Sequence, residues 1–151
     1  MKFTIPLIAL CVAVAAAKEI WEGKRYRYHE SYNFDEYLKV LGVGDVLRRN
    51  YTQIIPYIEL KKGDGNKYKL ITTPPFRKAE IEFELGKEFD DETLDGRTVK
   101  SVMSLANDIL LQKQGGEPSS NIVRAFGDKE MYETMFLNDV CSCYRIYKID
   151  E

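Results

Sequence analysis

"NFDEYLKVLGVGDVLRRNYTQIIP", residues 33–56, carries a helical pattern in a chain whose remaining periodic segments read as strands. Apolar residues recur at the spacing i, i+3, i+4, i+7 of one helix face, at Phe34, Tyr37, Leu38 and Leu41. Asn33 is predicted to cap this helix, with Glu36 three residues later as in a capping box. The stretch therefore predicts a first short helix that begins after Asn33.

A second helix follows after a glycine turn at Gly42 and Gly44. Its apolar stripe consists of Val43, Leu47, Tyr51 and Ile54, and Pro56 ends it. Two short helices joined in this way predict a helical hairpin. The excess of acidic over basic residues in the chain argues against a DNA-binding helix-turn-helix.

The rest of the chain predicts about ten short strands separated by Gly, Asn and Asp turns. In "AEIEFELG", residues 79–86, apolar side chains alternate with glutamates, which is typical of a strand with one sheltered face. Strands at this spacing indicate a single antiparallel barrel or sandwich. A helix pair inserted after the first strand would cap one open end of a barrel, which is useful when the interior holds something.

The first 17 residues, "MKFTIPLIALCVAVAAA", have the pattern of a secretory signal peptide, with cleavage predicted after Ala17. A buried helix or a membrane anchor is the alternative, but the apolar run at residues 5–14 is short for a membrane span. We therefore expect a signal peptide at 1–17, a single domain at 18–151, and a secreted protein.

Charge and cysteine content narrow the function classes. The chain has 22 basic and 24 acidic residues, and loss of the leader's one lysine leaves a net charge of −3, so we expect no nucleic-acid partner.

Cys141 and Cys143 would lie about 6.6 Å apart on one strand face, which is poor disulfide geometry. His29 is the single histidine, so a zinc site lacks ligands and we expect no metal and no cofactor.

"CYRIYK", residues 143–148, places Cys143, Arg145 and Tyr147 on one face of the last predicted strand. If that face points inward, something in the interior must neutralise Arg145. The sequence by itself leaves open whether this face points inward or to solvent.

Three separated stretches resemble the intracellular-type fatty-acid-binding protein family of the calycin superfamily, which includes the cellular retinoid-binding proteins. The first is "GKRYRYHESYNFDEYLKVLGVG" at 23–44, the second is "PFRKAEIEFELGKEFDDETLDGRTVKSVMSL" at 75–105, and the third is "CYRIYK". The resemblance covers essentially all of residues 20–149, with these stretches in the right order. Tyr28 is a departure, since the family usually has an aliphatic residue there.

The resemblance implies a mainly β fold, a ten-stranded antiparallel β-barrel or β-clam capped by a two-helix hairpin and enclosing a ligand cavity. It implies that Arg145, Tyr147 and Arg124 bind the ligand carboxylate. The stretch from Arg124 to Arg145 is one residue longer than the family pattern. A bulge near "NDVCSCYR" would decide whether Arg124, Cys141 and Cys143 face the cavity.

Further positions follow from the resemblance. Phe76 corresponds to the aromatic residue at the portal. Asp95 and Arg97 correspond to a polar pair inside the cavity, with a plain turn as the alternative, which is favoured for Asp95 and left open for Arg97. Arg48 and Arg49 would lie on the portal helix, where they either contact an anionic membrane or form an ordinary solvated face.

Asn50 begins an N-glycosylation sequon beside the same portal. A glycan at that position would hinder docking of the portal helix on a membrane.

The function expected from these observations is a secreted, monomeric carrier of a long-chain fatty acid, with no enzymatic activity. A retinoid or another hydrophobic carboxylic acid is the alternative ligand, and a protein-recognition scaffold is the alternative role. A Cys–His nucleophile would need His29 beside Cys141 or Cys143, and no third orienting residue is evident.

Overall fold

The computed structural model of the protein describes residues 17–150, so the predicted signal peptide lies outside the described residues except for Ala17. In chain order the elements are β1 (Tyr26–Tyr32), α1 (Phe34–Leu41), α2 (Asp45–Gln53), β2 (Tyr57–Lys62), β3 (Lys67–Thr73), β4 (Glu80–Glu84), β5 (Phe89–Glu92), β6 (Thr98–Ala106), β7 (Ile109–Gln114), β8 (Ser120–Phe126), β9 (Glu130–Leu137) and β10 (Cys141–Ile149). The predicted fold class is confirmed, with two helices inserted after the first strand.

The strands of residues 17–150 form one antiparallel sheet in the order β4-β3-β2-β1-β10-β9-β8-β7-β6-β5. The ladder between β1 and β10 joins the two ends of the chain and curls the sheet. The order ends at β4 and β5, which follow each other in the chain but share no ladder in the described part. The barrel is therefore nearly closed.

Helix α1 buries the predicted stripe of Phe34, Tyr37, Leu38 and Leu41. It ends at Gly42, which has a φ of +102° and donates its backbone N–H to the carbonyl groups of Leu38 and Lys39. This left-handed conformation is available to glycine without a steric cost, so the glycine sets the turn into α2.

The predicted capping role of Asn33 is wrong. Asn33 has a φ of +65°, and its side chain makes no cap hydrogen bond. Its Nδ2 instead donates to the backbone oxygen of Ser142 at 2.9 Å. The left-handed backbone of Asn33 is not the extended conformation in which an N-cap side chain accepts from the first turn, and its amide instead ties the start of α1 to β10.

Helix α2 is held to the barrel mainly through Tyr51, which is buried and donates its hydroxyl to the backbone oxygen of Leu94 at 3.2 Å. Leu47 of the predicted stripe remains 36% exposed, so this helix packs less closely than α1. No helix in residues 17–150 is long and apolar enough to cross a membrane.

The interior has two apolar clusters, one beneath the helices and one at the far end of the barrel. On three adjacent strands a buried polar residue stands between members of the two clusters: Ile122–Arg124–Phe126 on β8, Met135–Glu133–Met131 on β9 and Cys143–Arg145–Tyr147 on β10. A polar layer therefore crosses the middle of the barrel.

The extra residue between Arg124 and Arg145 is absorbed in the turn at 138–140, where Asn138 has a φ of +47°. Strand β10 pairs with β9 without a register shift from Cys141 to Lys148. On its other side, β10 pairs with β1, and the register of that ladder shifts once. The shift lies in β1, where His29 is the extra residue between Tyr28 and Glu30. Arg124 and Arg145 therefore both keep their inward register.

Candidate functional site

Strand β10 directs Arg145 and Tyr147 into the barrel. Arg145 is 1% exposed and Tyr147 is fully buried, so the inward alternative for this face is the one observed. The guanidinium Nε of Arg145 donates to the hydroxyl of Tyr147 at 3.0 Å. Burial raises the pKa of the Tyr147 hydroxyl, which keeps it protonated and able to donate.

Arg124 also points inward, from strand β8, and is 7% exposed. Its Nε donates to Glu133 Oε2 at 2.8 Å, and its Nη1 donates to Gln112 Oε1 at 2.9 Å. The Arg124 guanidinium therefore already donates hydrogen bonds to two protein side chains, Glu133 and Gln112.

Glu133, on strand β9, is a site residue that the sequence reasoning missed. It lies directly opposite Arg124 on one side and Arg145 on the other. It accepts the Tyr147 hydroxyl at 3.1 Å, and its Oε1 is 3.8 Å from Arg145 Nε. Glu133 therefore helps to neutralise the charge of Arg145. The sequence had led us to expect a ligand carboxylate alone in this role.

A second buried acid, Asp91 on β5, continues the network. Its Oδ2 accepts the Ser101 hydroxyl at 2.8 Å and the side-chain amides of Gln112 at 2.7 Å and Gln114 at 3.0 Å. Since Gln112 also bonds to Arg124, the two acids are linked through one amide and one guanidinium. The layer contains two guanidinium and two carboxyl groups.

The guanidinium of Arg145 is enclosed by aromatic rings. Its Cζ lies 4.1 Å from the ring centroid of Phe34, 4.5 Å from that of Tyr28 and 5.1 Å from that of Phe76. These contacts are cation–π interactions in a desolvated place. Arg145 Nη2 nevertheless has no hydrogen-bond partner among the described residues. An unpaired buried donor of a charged group is costly and marks a place for an acceptor.

A cavity of about 80 Å³, whose wall includes the exposed residues Arg77 and Lys78, adjoins this layer. Polar groups of Asp91, Gln112, Arg124 and Glu133 form part of its wall, together with the apolar residues Ile58, Phe76, Ile81, Leu94, Ile122 and Met135. Arg145 is not part of this wall, but two residues of the wall, Phe76 and Glu133, lie next to it. Ligand pockets usually measure about 300–1,000 Å³, so a lipid requires side chains to move.

A larger hollow of about 610 Å³ lies elsewhere, between the β2–β3 turn and the β4–β5 turn. Exposed lysines and glutamates make up much of its wall, and none of the buried polar residues described above takes part. We place the candidate site at the smaller cavity because buried polar side chains line it, and because two of its wall residues, Phe76 and Glu133, also contact Arg145, whose Nη2 has no partner among the described residues.

Phe76, the residue predicted at the portal, contacts both helices and forms part of the cavity wall. Its ring packs against Phe34 at 5.9 Å and against Tyr51 at 5.3 Å between centroids. It therefore connects both helices to the cavity wall, and it also covers Arg145.

Arg97 lies outside the cavity wall, contrary to the expectation for this residue. Its Nε donates to Asp95 Oδ2 at 2.7 Å, within the turn that joins β5 to β6. The Arg97 guanidinium and the Thr93 hydroxyl hold the pKa of Asp95 below its usual range although burial acts against them. Arg97 is therefore held within the turn by its bond to Asp95, and Asp95 lies in a turn as predicted.

The three residues on the second helix differ in their surroundings. Arg48 donates to Asp35 at 2.8 Å and is 3.0 Å from Asp45, so its charge is already paired. Arg49 and Asn50 are exposed on the same helix.

The two cysteines are free thiols on the cavity face of β10, Cys141 half-buried and Cys143 buried. Burial raises the pKa of Cys143 to about 12, so it is not a thiolate nucleophile at neutral pH. His29, the other half of a Cys–His pair, is exposed at the β1 bulge.

The difference in burial between Cys141 and Cys143 predicts that alkylation is selective. In the folded protein at pH 8, iodoacetamide should modify Cys141 and spare Cys143, whereas both should react after unfolding in urea. Peptide mapping by mass spectrometry distinguishes the two. Equal modification rates in the folded protein would contradict the buried position of Cys143.

Known proteins share this sequence pattern and architecture. The Lipocalin / cytosolic fatty-acid binding protein family profile matches residues 22–149. The muscle fatty acid-binding protein of Schistocerca gregaria is 39% identical over 127 residues, covering 83% of this chain and 94% of that protein. Cellular retinoic acid-binding protein 1 of Takifugu rubripes is 33% identical over 129 residues, covering 81% and 93%.

Among solved structures, the brain fatty acid-binding protein of Drosophila melanogaster superposes with a TM-score of 0.78 at 44% identity, covering 85% of this chain and 98% of that one. These relatives are named as proteins that bind fatty acids or retinoic acid, which are carrier and binding functions and not enzymatic ones. The chain belongs to the lipocalin / cytosolic fatty-acid binding protein family.

Proposed function

We propose that this protein is a secreted carrier that holds one long-chain fatty acid in its barrel, with the carboxylate on Arg145. The observation that carries the proposal is the buried guanidinium of Arg145, whose Nη2 has no acceptor among the described residues. A carboxylate supplies a charge-assisted acceptor for that donor. Tyr147 and Arg124 complete the site through their bonds to Arg145 and Glu133.

The acyl chain has an apolar path next to this head-group position. The cavity wall contributes Ile58, Ile81, Leu94, Ile122 and Met135. Burying methylene groups there contributes about 0.8 kcal/mol per CH₂, which is the main source of affinity. The ring of Phe76 has to move, because it lines the cavity and also covers the guanidinium of Arg145.

Calorimetric titration of lipid-free protein with oleate tests the proposal. We expect one site per chain with a dissociation constant in the micromolar range or tighter. Methyl oleate, which has the same chain and no carboxylate, should bind at least about tenfold more weakly, as expected for loss of a charge-assisted bond. Equal binding of the acid and the ester would contradict a carboxylate site, and absence of oleate binding would contradict the carrier function.

Replacing the ring over Arg145 should speed ligand exchange. In Phe76→Ala, we expect association and dissociation rates for oleate to rise several-fold, because the contacts to Phe34 and Tyr51 that close the cavity are lost. Stopped-flow fluorescence with a fatty-acid probe measures both rates. Phe136→Ala, which removes an aromatic ring from the outer face of β9, is the matched control and should leave the rates unchanged.

A retinoid is the second candidate ligand, and the 33% identity to a retinoic acid-binding protein favours it. Retinoic acid also carries a carboxylate, so the same donors would serve. Native mass spectrometry of protein purified from its natural source distinguishes the candidates, since a bound fatty acid and a bound retinoid differ in mass.

Secretion is supported by the leader pattern at residues 1–17. N-terminal sequencing of the exported protein should begin at Lys18, and the unprocessed N-terminus at Met1 would contradict it. The exposed position of Asn50 supports glycan attachment, which intact-mass measurement before and after glycosidase treatment tests. Transient contact with an anionic membrane is proposed through Arg49 in preference to Arg48, whose charge is paired with Asp35 and Asp45.

A further inference from the structure

The polar layer of the barrel is already balanced in charge. Arg124 and Arg145 are buried cations, and Glu133 and Asp91 are buried acids in the same hydrogen-bond network. A fatty-acid anion entering this layer adds a third carboxylate to two guanidinium groups. An uncompensated charge in a buried place is costly, so a charge has to be neutralised when the ligand arrives.

Most donors in the layer already have an acceptor, Glu133 or Asp91 in the main. Arg124 Nε and the Tyr147 hydroxyl both donate to Glu133, and Tyr147 has a single proton to give. Arg145 Nη2 is a fully buried donor that has no partner among residues 17–150. A carboxylate placed on Nη2 would share that guanidinium with Glu133, whose Oε1 is 3.8 Å from Arg145 Nε.

Two carboxylates that share one cation do not both remain ionised easily, because like charges favour the neutral form of one of them. Glu133 is surrounded by Arg124 on β8, by Arg145, Tyr147 and Cys143 on β10, and by Tyr37 on α1, with Asp91 of β5 reached through Gln112. Burial raises the pKa of Tyr37 and of Cys143 to about 12, so both groups stay neutral and neither compensates the negative charge that the ligand adds.

We propose that a fatty acid binds together with one proton from the solvent, and that the proton is shared between the ligand carboxyl group and Glu133. The proposal rests on the proposed fatty-acid function. The reaction balances as one fatty-acid anion plus one proton entering the protein, which adds no net charge to the layer. Glu133 would therefore make ligand binding stronger as the pH falls and weaker as it rises.

Calorimetry in two buffers measures this proton directly. At pH 7.4, oleate is titrated into wild-type protein in phosphate and in Tris, whose ionisation enthalpies differ, and the difference in heat gives the number of protons taken up. We expect about one proton per oleate for the wild type and about tenfold weaker binding for each pH unit above 7.4.

Two variants locate the proton. Glu133→Gln keeps the shape of the side chain and removes the charge, so its proton uptake should fall to about zero and its affinity should no longer depend on pH. Glu130→Gln removes an acid from the outward-facing register of the same strand, where Glu130 pairs with Lys148, and should still take up about one proton.

The possible outcomes are distinct. Oleate binding without proton uptake by the wild type overturns the proposal and leaves the carrier function standing, and so does undiminished uptake by Glu133→Gln. Failure of every protein to bind oleate rejects the carrier function and the proposal with it. If Glu133→Gln does not fold, the two-buffer measurement on the wild type decides by itself.

Discussion

Arg145→Ala should reduce the affinity for oleate by about 10- to 100-fold. A hydrogen bond to a charged group contributes about 1.5–3 kcal/mol, and each 1.4 kcal/mol is a factor of ten in the dissociation constant. The loss should be near the upper end of the range, because Arg124 and Tyr147 already donate to Glu133 and cannot fully replace the missing donor. Isothermal titration with oleate measures the effect.

The control for this variant is Lys148→Ala, which removes a cation from the outward face of the same strand. It should bind oleate like the wild type. Methyl oleate should bind the Arg145→Ala variant and the wild type with similar affinity, because the ester presents no charge to the guanidinium. A small loss for oleate, under about threefold, would mean that the carboxylate lies elsewhere.

The pair of Arg124 and Glu133 should dominate the stability of the polar layer. Removing one partner of a buried ion pair typically costs about 3–5 kcal/mol, since the other charge is left buried without compensation. We expect this cost for Glu133→Leu, which leaves both Arg124 and Arg145 unpaired, and a smaller cost for Arg124→Met. The double variant Arg124→Met/Glu133→Leu should be more stable than Glu133→Leu, because apolar residues of similar size replace the pair.

Urea unfolding of the four proteins gives the coupling energy of this pair. The exposed pair of Lys100 and Asp90 provides the control cycle, in which Lys100→Ala and Asp90→Ala should show no measurable coupling. If the costs of Arg124→Met and Glu133→Leu simply add in the double variant, the buried pair is not coupled as the geometry indicates.

Much of the architecture follows from local patterns in the sequence. Alternation along segments such as residues 79–86 predicts strands, and the apolar spacing of Phe34, Tyr37 and Leu41 predicts the first helix. These patterns are reliable because each buries one face against the same interior. Asn33 is the exception, since its left-handed backbone takes the side chain out of capping geometry, and its amide bonds to the backbone of Ser142.

The inward direction of Arg124 followed from the family resemblance and not from the local sequence, because it depends on where the extra residue before Arg145 sits. The turn at 138–140 accommodates this residue, and β9 and β10 keep their register. A bulge inside β10 would have turned part of that strand outward. Turn and bulge compositions differ little, so the alternatives were close.

Glu133 could have been found from the sequence. Residues 131–137 alternate, and Glu133 shares a face with Met131, Met135 and Leu137, all of which are buried. An acid on an otherwise apolar strand face requires a buried partner, and Arg124 and Arg145 are candidates for it. Asp91 gave no such signal, because the sequence around it is acidic throughout and its partners come from β6 and β7.

A crystal structure of the oleate complex tests the central claim most directly, namely that Arg145 receives the ligand carboxylate. We expect one oleate inside the barrel, with a carboxylate oxygen about 2.7–2.9 Å from Arg145 Nη2 and the Phe76 ring displaced from its position over the guanidinium. An oleate whose carboxylate lies at the protein surface, with Arg145 still covered by Phe76, would contradict the account.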